Sequence, residues 1–308
     1  MCALSDKFIK DLQQGVLKNL LEEVKMDDNL CLAIRENYIN IYYRGGNLFK
    51  IASQGNGYKI FFDINYFNHK QTVQSNFATN FNKNGTIEEY IQSIPLLKRE
   101  MDLYFYENNK LEREYQQIVL RENNNSSISN DTDYYIADIE SSNTDNGSRF
   151  DLIGIKWAST GPARRTAKDI SLVLMEMKYG DGAHAGSAGI IKHFEDIEKF
   201  AKSGKISALM VDTQTKFNQL VELGLINNVN KQILINTEIK PEFILLLANH
   251  KAASTILHRE LREAIKKCPD IEEKVSIKIA TSSYMGYGLY ISQMIDLADF
   301  LANGIVIE

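Results

Sequence analysis

Three charged side chains stand where the sequence is otherwise apolar. Asp151 lies in the run Phe150-Asp151-Leu152-Ile153-Gly154-Ile155, and Glu176 and Lys178 close the run Ser171-Leu172-Val173-Leu174-Met175-Glu176-Met177-Lys178. Both runs are nearly continuous rather than alternating, which predicts strands buried on both faces. A strand repeats every two residues, so Glu176 and Lys178 share a face with Leu172 and Leu174. Asp151 shares one with Ile153, Ile155 and Trp157. Ionised groups at such positions are costly unless they are paired or bind a metal. Two carboxylates on neighbouring strands, with the Met177 carbonyl as a third oxygen, suit a hard cation such as Mg2+ (or Mn2+). Such a cation polarises a phosphate and lowers the pKa of its bound water. The Lys178 ammonium, aimed into the same cleft, would orient that water or steady developing negative charge. The chemistry these residue types point to is hydrolysis of a phosphodiester.

The triplet Glu-x-Lys alone means little, because Glu23-Val24-Lys25, Glu238-Ile239-Lys240 and Glu272-Glu273-Lys274 repeat it. Those three lack both the apolar strand and the upstream strand aspartate. The competing explanation for Asp151, Glu176 and Lys178 is a salt-bridged cluster at a strand end. Buried ion triads are poor stabilisers, which weighs against it.

An aspartate near the start of one strand, a looped connection, and Glu176-Met177-Lys178 ending the next resemble the PD-(D/E)XK nuclease superfamily, over about residues 111–200. The resemblance implies a core of a helix, three strands, a helix and a fourth strand, with magnesium-dependent cleavage of DNA rather than RNA. It implies a role in restriction, defence or repair in a microbial cytosol. Many members place an acid of the preceding helix at the metal, and the matching position is Glu114, with Glu112 second. A polar residue on the following helix matches His193. Two departures stand: Phe150 occupies the place of the motif's proline, and no glutamine occupies that following helix.

Other residues could extend such a site. Asp138 and Glu140 share a face of the strand Tyr134–Glu140, where they would widen the acidic cluster or guard a sheet edge. Arg164, Arg165 and Lys168, in the connection before the Glu176 strand, would hold a phosphate backbone. A rival reading comes from Gly180, Gly182, Gly186 and Gly189, a glycine-rich turn that could cradle a nucleotide phosphate at a helix N-terminus. A third is a nuclease-like module without activity that binds or assembles through its N-terminal region, with a protein partner or a second copy.

The elements that must position these residues follow from pattern. A helix is predicted over Lys7–Met26, then an antiparallel β-meander through Tyr38–Tyr43, Leu48–Ile51 and Tyr58–Phe62 with glycine-containing turns. Residues 68–85 are polar and mark a boundary. Thr86-Ile87-Glu88-Glu89 reads as a capping box opening a helix that is kinked or broken at Pro95 and continues through Leu111–Ile118. Glu122–Asp133 reads as a mobile loop and Asp145-Asn146-Gly147 as a hairpin turn. Helices follow around Ile190–Ala201 and Ile206–Leu223, then a strand at Phe243–Leu247, a helix at Ala252–Lys267, a strand at Val275–Ile279 and a closing helix at Ile291–Leu301. The fold class is α/β: a mixed central sheet flanked by helices, a restriction-endonuclease-like core, preceded by a helix and a β-meander. The division is 1–85 for the N-terminal region and 86–308 for the α/β domain.

Composition bounds the rest. A chain of 308 residues, 44% apolar and 24% charged, is that of a water-soluble protein with ample core. A net charge of −5 tells against a protein that coats nucleic acid indiscriminately, but not against a nuclease with a local basic strip. No window is a membrane span, and residues 1–7 lack the apolar core of a signal peptide. The three cysteines, Cys2, Cys31 and Cys268, have no zinc spacing and predict reduced thiols in a cytoplasm.

Overall fold

The computed structural model describes residues 3–70, 76–142, 149–180, 182, 184–186, 189–250, 254–282, 289, 291 and 294–302. Its architecture is mixed α/β, an antiparallel four-stranded sheet beside a mixed six-stranded sheet flanked by helices.

The first helical stripe is two helices, α1 (Asp6–Gln14) and α2 (Lys18–Met26), and the Ser5 hydroxyl caps the first. The chain turns at Gly15, where a Cβ would lie 2.7 Å from the Asp11 backbone. The antiparallel sheet runs β1 (Leu30–Ile34), β2 (Tyr38–Tyr43), β3 (Gly46–Gln54) and β4 (Gly57–Phe61) in that spatial order. A short 3-10 turn, Ile64–Phe67, and α3 (Asn76–Asn80) lead to α4 (Ile87–Glu107). The capping box forms as expected, with reciprocal bonds between Thr86 and Glu89. Pro95 does not break α4, because Tyr90, Ile94, Leu97 and Met101 bury one face on both sides of it. The break comes at residues 108–110, before α5 (Leu111–Asn124). Helix α4 packs on α2 and β3, and one apolar cluster runs from Leu4, Phe8 and Ile51 through Met101 to Tyr135, Leu172 and Phe243. Residue 86 is therefore a chain junction across which the core is continuous.

The second sheet contains β5 (Tyr134–Ser142), β6 (Arg149–Lys156), β7 (Ser171–Tyr179), β8 (Glu242–Ala248), β9 (Ser276–Ser282) and β10 (Ile295–Asp296), ordered β10-β9-β8-β7-β6-β5. Strands β5, β6 and β7 are antiparallel neighbours, β7, β8 and β9 run parallel, and β10 is antiparallel to β9. Helices α7 (Ile190–Lys202) and α9 (Thr255–Lys267) cover the face that carries Leu172, Leu174, Phe243 and Leu245. Helix α5 covers the face that carries Val173, Met175 and Ile244. Both faces are dry, as the unbroken apolar strands require. Helix α6 (Gly161–Thr166) joins β6 to β7, α8 (Ile206–Glu222) packs on β5, and α10 (Ile271–Lys274) precedes β9. The expected closing helix is shorter, α11 (Leu297–Ala302), because Ile295 and Asp296 pair with β9 first.

The expected mobile loop before β5 is instead fixed. Helix α5 continues to Asn124, and Ser129, Thr132 and Asp133 are buried. The Asp133 carboxylate accepts backbone N–H groups of Ser159 (2.7 Å) and Ile291 (2.8 Å). The Asp145-Asn146-Gly147 turn lies outside the described residues, although Ser142 and Arg149 pair on either side of it. Cys31 and Cys268 are free and buried, and Cys2 lies outside the described residues. Among the described residues no helix is long and apolar enough to cross a membrane.

Candidate functional site

Three carboxylates stand abreast at one end of the mixed sheet. The ladder between β6 and β7 ends at Leu152↔Met175, and the same register carried one step further sets Asp151 opposite Glu176. On the other side Glu140 falls between the pairs Ile139↔Leu152 and Ser141↔Phe150, opposite Asp151. Neighbouring strands lie ~4.8 Å apart, so Glu140, Asp151 and Glu176 hold successive positions across three strands.

The outer two members have cations. Glu140, its side chain only 8% exposed, forms ion pairs with Arg113, whose Nε lies at 3.2 Å, and with Arg149. Glu176 accepts from Lys178 Nζ at 2.9 Å and meets His193 Nε2 on α7 at 2.9 Å. The central Asp151 has a backbone donor, the Met177 N–H at 2.9 Å. Where the ladder stops, a side chain thus takes the place of a partner strand.

The proton affinities follow. Burial, then the charge of Glu176, pushes the Asp151 carboxyl well above the usual carboxylate range, against the pull of the Met177 N–H. Burial also raises Glu176, but the hydrogen bond and charge of His193 and the Lys178 ammonium outweigh it, so Glu176 falls below its ordinary value. Burial opposes charge on Lys178, yet Glu176 and Glu112 hold it above an ordinary lysine. It is an ammonium at neutral pH. Glu112, 3.9 Å from Lys178 Nζ, has its carboxyl raised by burial more than that lysine lowers it.

Asp151, Glu176 and Lys178 are therefore brought together, with His193 against them. Glu114 is not. It forms a fork with Arg44, from Nε at 2.9 Å and Nη2 at 3.2 Å, and Arg44 also holds Asp102. At 100° per residue Glu112 shares a stripe with Tyr115, Gln116 and Val119, while Glu114 lies nearly opposite. The buried face of α5 includes the amides Gln116, Gln117, Asn123 and Asn124, which look like surface in a sequence and hide the true stripe.

Arg164, Arg165 and Lys168 are not beside this row either. Helix α6 joins the end of β6 to the start of β7, five residues along the strands from Asp151 and Glu176, or ~17 Å. Arg164 is structural: its guanidinium lies over the rings of Tyr135 (4.6 Å) and Trp157 (4.9 Å) and donates to the Thr132 carbonyl at 2.6 Å. Arg165 and Lys168 are exposed at that far end. The basic residues next to the row are Arg113 and Arg149, missed because neither stands in a basic cluster.

Asp138 also leaves the row. A bulge between Ile136 and Asp138 resets the alternation of β5, and Asp138 turns into a buried ion triad with Arg35 and Lys216. In the glycine-rich turn, the Gly180 N–H donates to the Ala248 carbonyl at 2.9 Å. A Cβ on Gly189 would lie 2.7 Å from the His184 carbonyl oxygen. These two glycines serve the chain's own packing. Gly182 and Gly186 face open space, and residues 181, 183, 187 and 188 lie outside the described set.

Among the described residues no group of three or more His, Cys, Asp or Glu is gathered to hold a metal by protein ligands alone. Magnesium does not need one, since it keeps several waters and takes one or two carboxylates. Asp151, Glu176 and the Met177 carbonyl give an all-oxygen donor set. The raised Asp151 carboxyl is the group a dication would relieve, so these residues fit a hard cation. No protein-family model, no curated protein and no solved structure matches this chain.

Proposed function

We propose that the chain is a divalent-metal-dependent nuclease that hydrolyses phosphodiester bonds. Its core would be restriction-endonuclease-like, made of α5, β5, β6, β7, α7 and β8. One observation carries the reading: among the described residues the buried Asp151 carboxylate has no ion-pair partner, although it stands between Glu140, paired with Arg113 and Arg149, and Glu176, paired with Lys178. A cluster selected for stability would supply a charge or dispense with the aspartate, because an uncompensated buried charge costs several kcal/mol. The preference for DNA over RNA rests on the resemblance to PD-(D/E)XK nucleases.

Asp151 and Glu176 would hold Mg2+ or Mn2+, with the Met177 carbonyl. When bound, the cation supplies charge for the phosphate and acidity for water. The chain's own groups do the rest. Lys178, fixed as an ammonium, donates to the attacking water or to a phosphate oxygen as charge builds there. Glu112, at the rim with a raised carboxyl, accepts the proton that the water gives up, a task suited to a carboxylate moved toward neutrality. His193 fixes the Glu176 oxygen that Lys178 also grips.

The test is cleavage of supercoiled plasmid and of labelled oligonucleotides, with Mg2+, Mn2+ or chelator, by wild type, Glu176→Gln and Lys178→Met purified in parallel. Cutting should need the metal and fall by about 10²–10³-fold in each variant, the usual loss on removing one electrostatic group. Equal cutting by all three proteins, or none by wild type with any of these substrates, overturns the proposal.

A further inference from the structure

We infer that Arg113 and Arg149, gripped by Glu140, form a phosphate clamp that seats the nucleic-acid backbone one strand away from Asp151. The inference rests on the nuclease reading and deepens it. Its starting point is Glu140, which has a left-handed backbone, φ +53°. That conformation is uncommon for a residue other than glycine, asparagine or aspartate, and strain of this kind gathers at binding sites. An ordinary surface ion pair contributes too little to require it.

What the conformation achieves is specific. The Glu140 side chain is 8% exposed, yet Arg113 and Arg149 are 36% and 51% exposed. The carboxylate is inside and the two guanidinium groups face out. A guanidinium has five N–H donors, so one shared carboxylate leaves each arginine with donors to spare. Two planar forks held side by side match the bidentate demand of a phosphate, which a lysine cannot meet.

Charge makes such a device necessary. With every group ionised, Glu112, Asp151, Glu176 and Lys178 sum to −2, a mouth that repels a polyanion. A dication brings it to zero. The clamp, two arginines and one glutamate, adds the +1 that turns repulsion into attraction. Glu140 and Asp151 occupy facing positions on adjacent strands, whose backbones run ~4.8 Å apart, so a phosphate on the clamp would lie one strand from the cluster.

The experiment measures affinity for a fluorescein-labelled DNA duplex by anisotropy, with Ca2+ replacing Mg2+, over a series of salt concentrations. Full-length wild type, Arg113→Ala, Arg149→Ala, Arg149→Lys and Glu140→Gln are compared, and KM and kcat are measured in Mg2+. Each arginine-to-alanine change should raise Kd about tenfold, as loss of a charge-assisted bond does, and lower the slope of log Kd against log salt by ~0.9. KM should rise while kcat stays within about twofold. Arg149→Lys should restore the slope but only part of the affinity, and Glu140→Gln should weaken binding with the slope intact. Wild-type cleavage with unchanged slopes in both alanine variants overturns the clamp and leaves the nuclease standing, as does a fall in Tm with no change of slope. Arginine-dependent binding by a protein that never cuts keeps the clamp and sinks the nuclease. A wild type that neither binds nor cuts overturns both.

Discussion

Asp151 is ionised at neutral pH only at a cost to the folded chain. Its folded pKa is raised, so the folded state prefers the protonated form. Above that pKa ionisation subtracts stability, and the deficit disappears as pH falls through it. Asp151→Asn, measured without divalent ions, should therefore raise Tm by roughly 2–4 °C at neutral pH, the response to about 1 kcal/mol. The gain over wild type should shrink as pH is lowered. Glu176 has the opposite sign. Its folded pKa is lowered, so it adds stability above its unfolded pKa that is lost as pH falls through the folded one. Glu176→Ala leaves the buried Lys178 without its close partner and should cost about 3 kcal/mol in urea unfolding. At this scale Asp151, Glu176 and Lys178 were legible because each interrupts an apolar run. Glu112 ranked behind Glu114 because buried amides hide the stripe of α5, and Glu140 was grouped with Asp138 because no pattern encodes the bulge and the backbone angle that part them.

The decisive element is β5. Its bulge sends Asp138 toward Arg35 and Lys216, while the left-handed residue that follows turns Glu140 toward the arginines. Gly154 of β6 lies against this irregularity: a Cβ there would be 2.2 Å from the Tyr135 carbonyl oxygen. Gly154→Ala should destabilise by about 1–3 kcal/mol, the usual toll of overpacking, and blunt cleavage with it. A variant of unchanged Tm and activity would show that β5 and β6 can part there without harm. Strands β5 to β9 were readable from their composition, whereas β1, a five-residue apolar run, and β10, two residues inside a helical pattern, gave too short a signal. The turns at 125–133 read as mobile because Asn, Ser and Asp favour loops. Their partners, Ser159, Leu289 and Ile291, are distant in sequence, and only tertiary structure supplies them.

For the whole molecule, the apolar cluster shared by the two sheets predicts that they unfold together. Leu4 exchanges two hydrogen bonds with the Gln219 side chain of α8, at 3.0 and 2.8 Å. The Arg35–Asp138–Lys216 triad ties the β1–β2 turn to β5 and α8 with all three side chains nearly buried. Denaturant unfolding should be a single transition whether followed by far-UV circular dichroism or by tryptophan emission; two separated transitions would contradict a common core. Asp138→Ala strands two cations in that seam and should cost about 3–5 kcal/mol, with the m-value unchanged. The junction at 85/86 was legible as polar sequence, but composition cannot say whether apolar residues on its two sides meet.

Trp157 is the chain's one tryptophan. It is pinned beneath Arg164 and Lys231, with its indole N–H on the Ala163 carbonyl at 3.0 Å. It sits past the end of β6 remote from Asp151. Its fluorescence is thus a built-in gauge of structural integrity that should stay dark to events in the cleft. Emission that holds steady while cation or oligonucleotide is titrated in would separate a filled site from a disturbed fold, with no label attached to the protein.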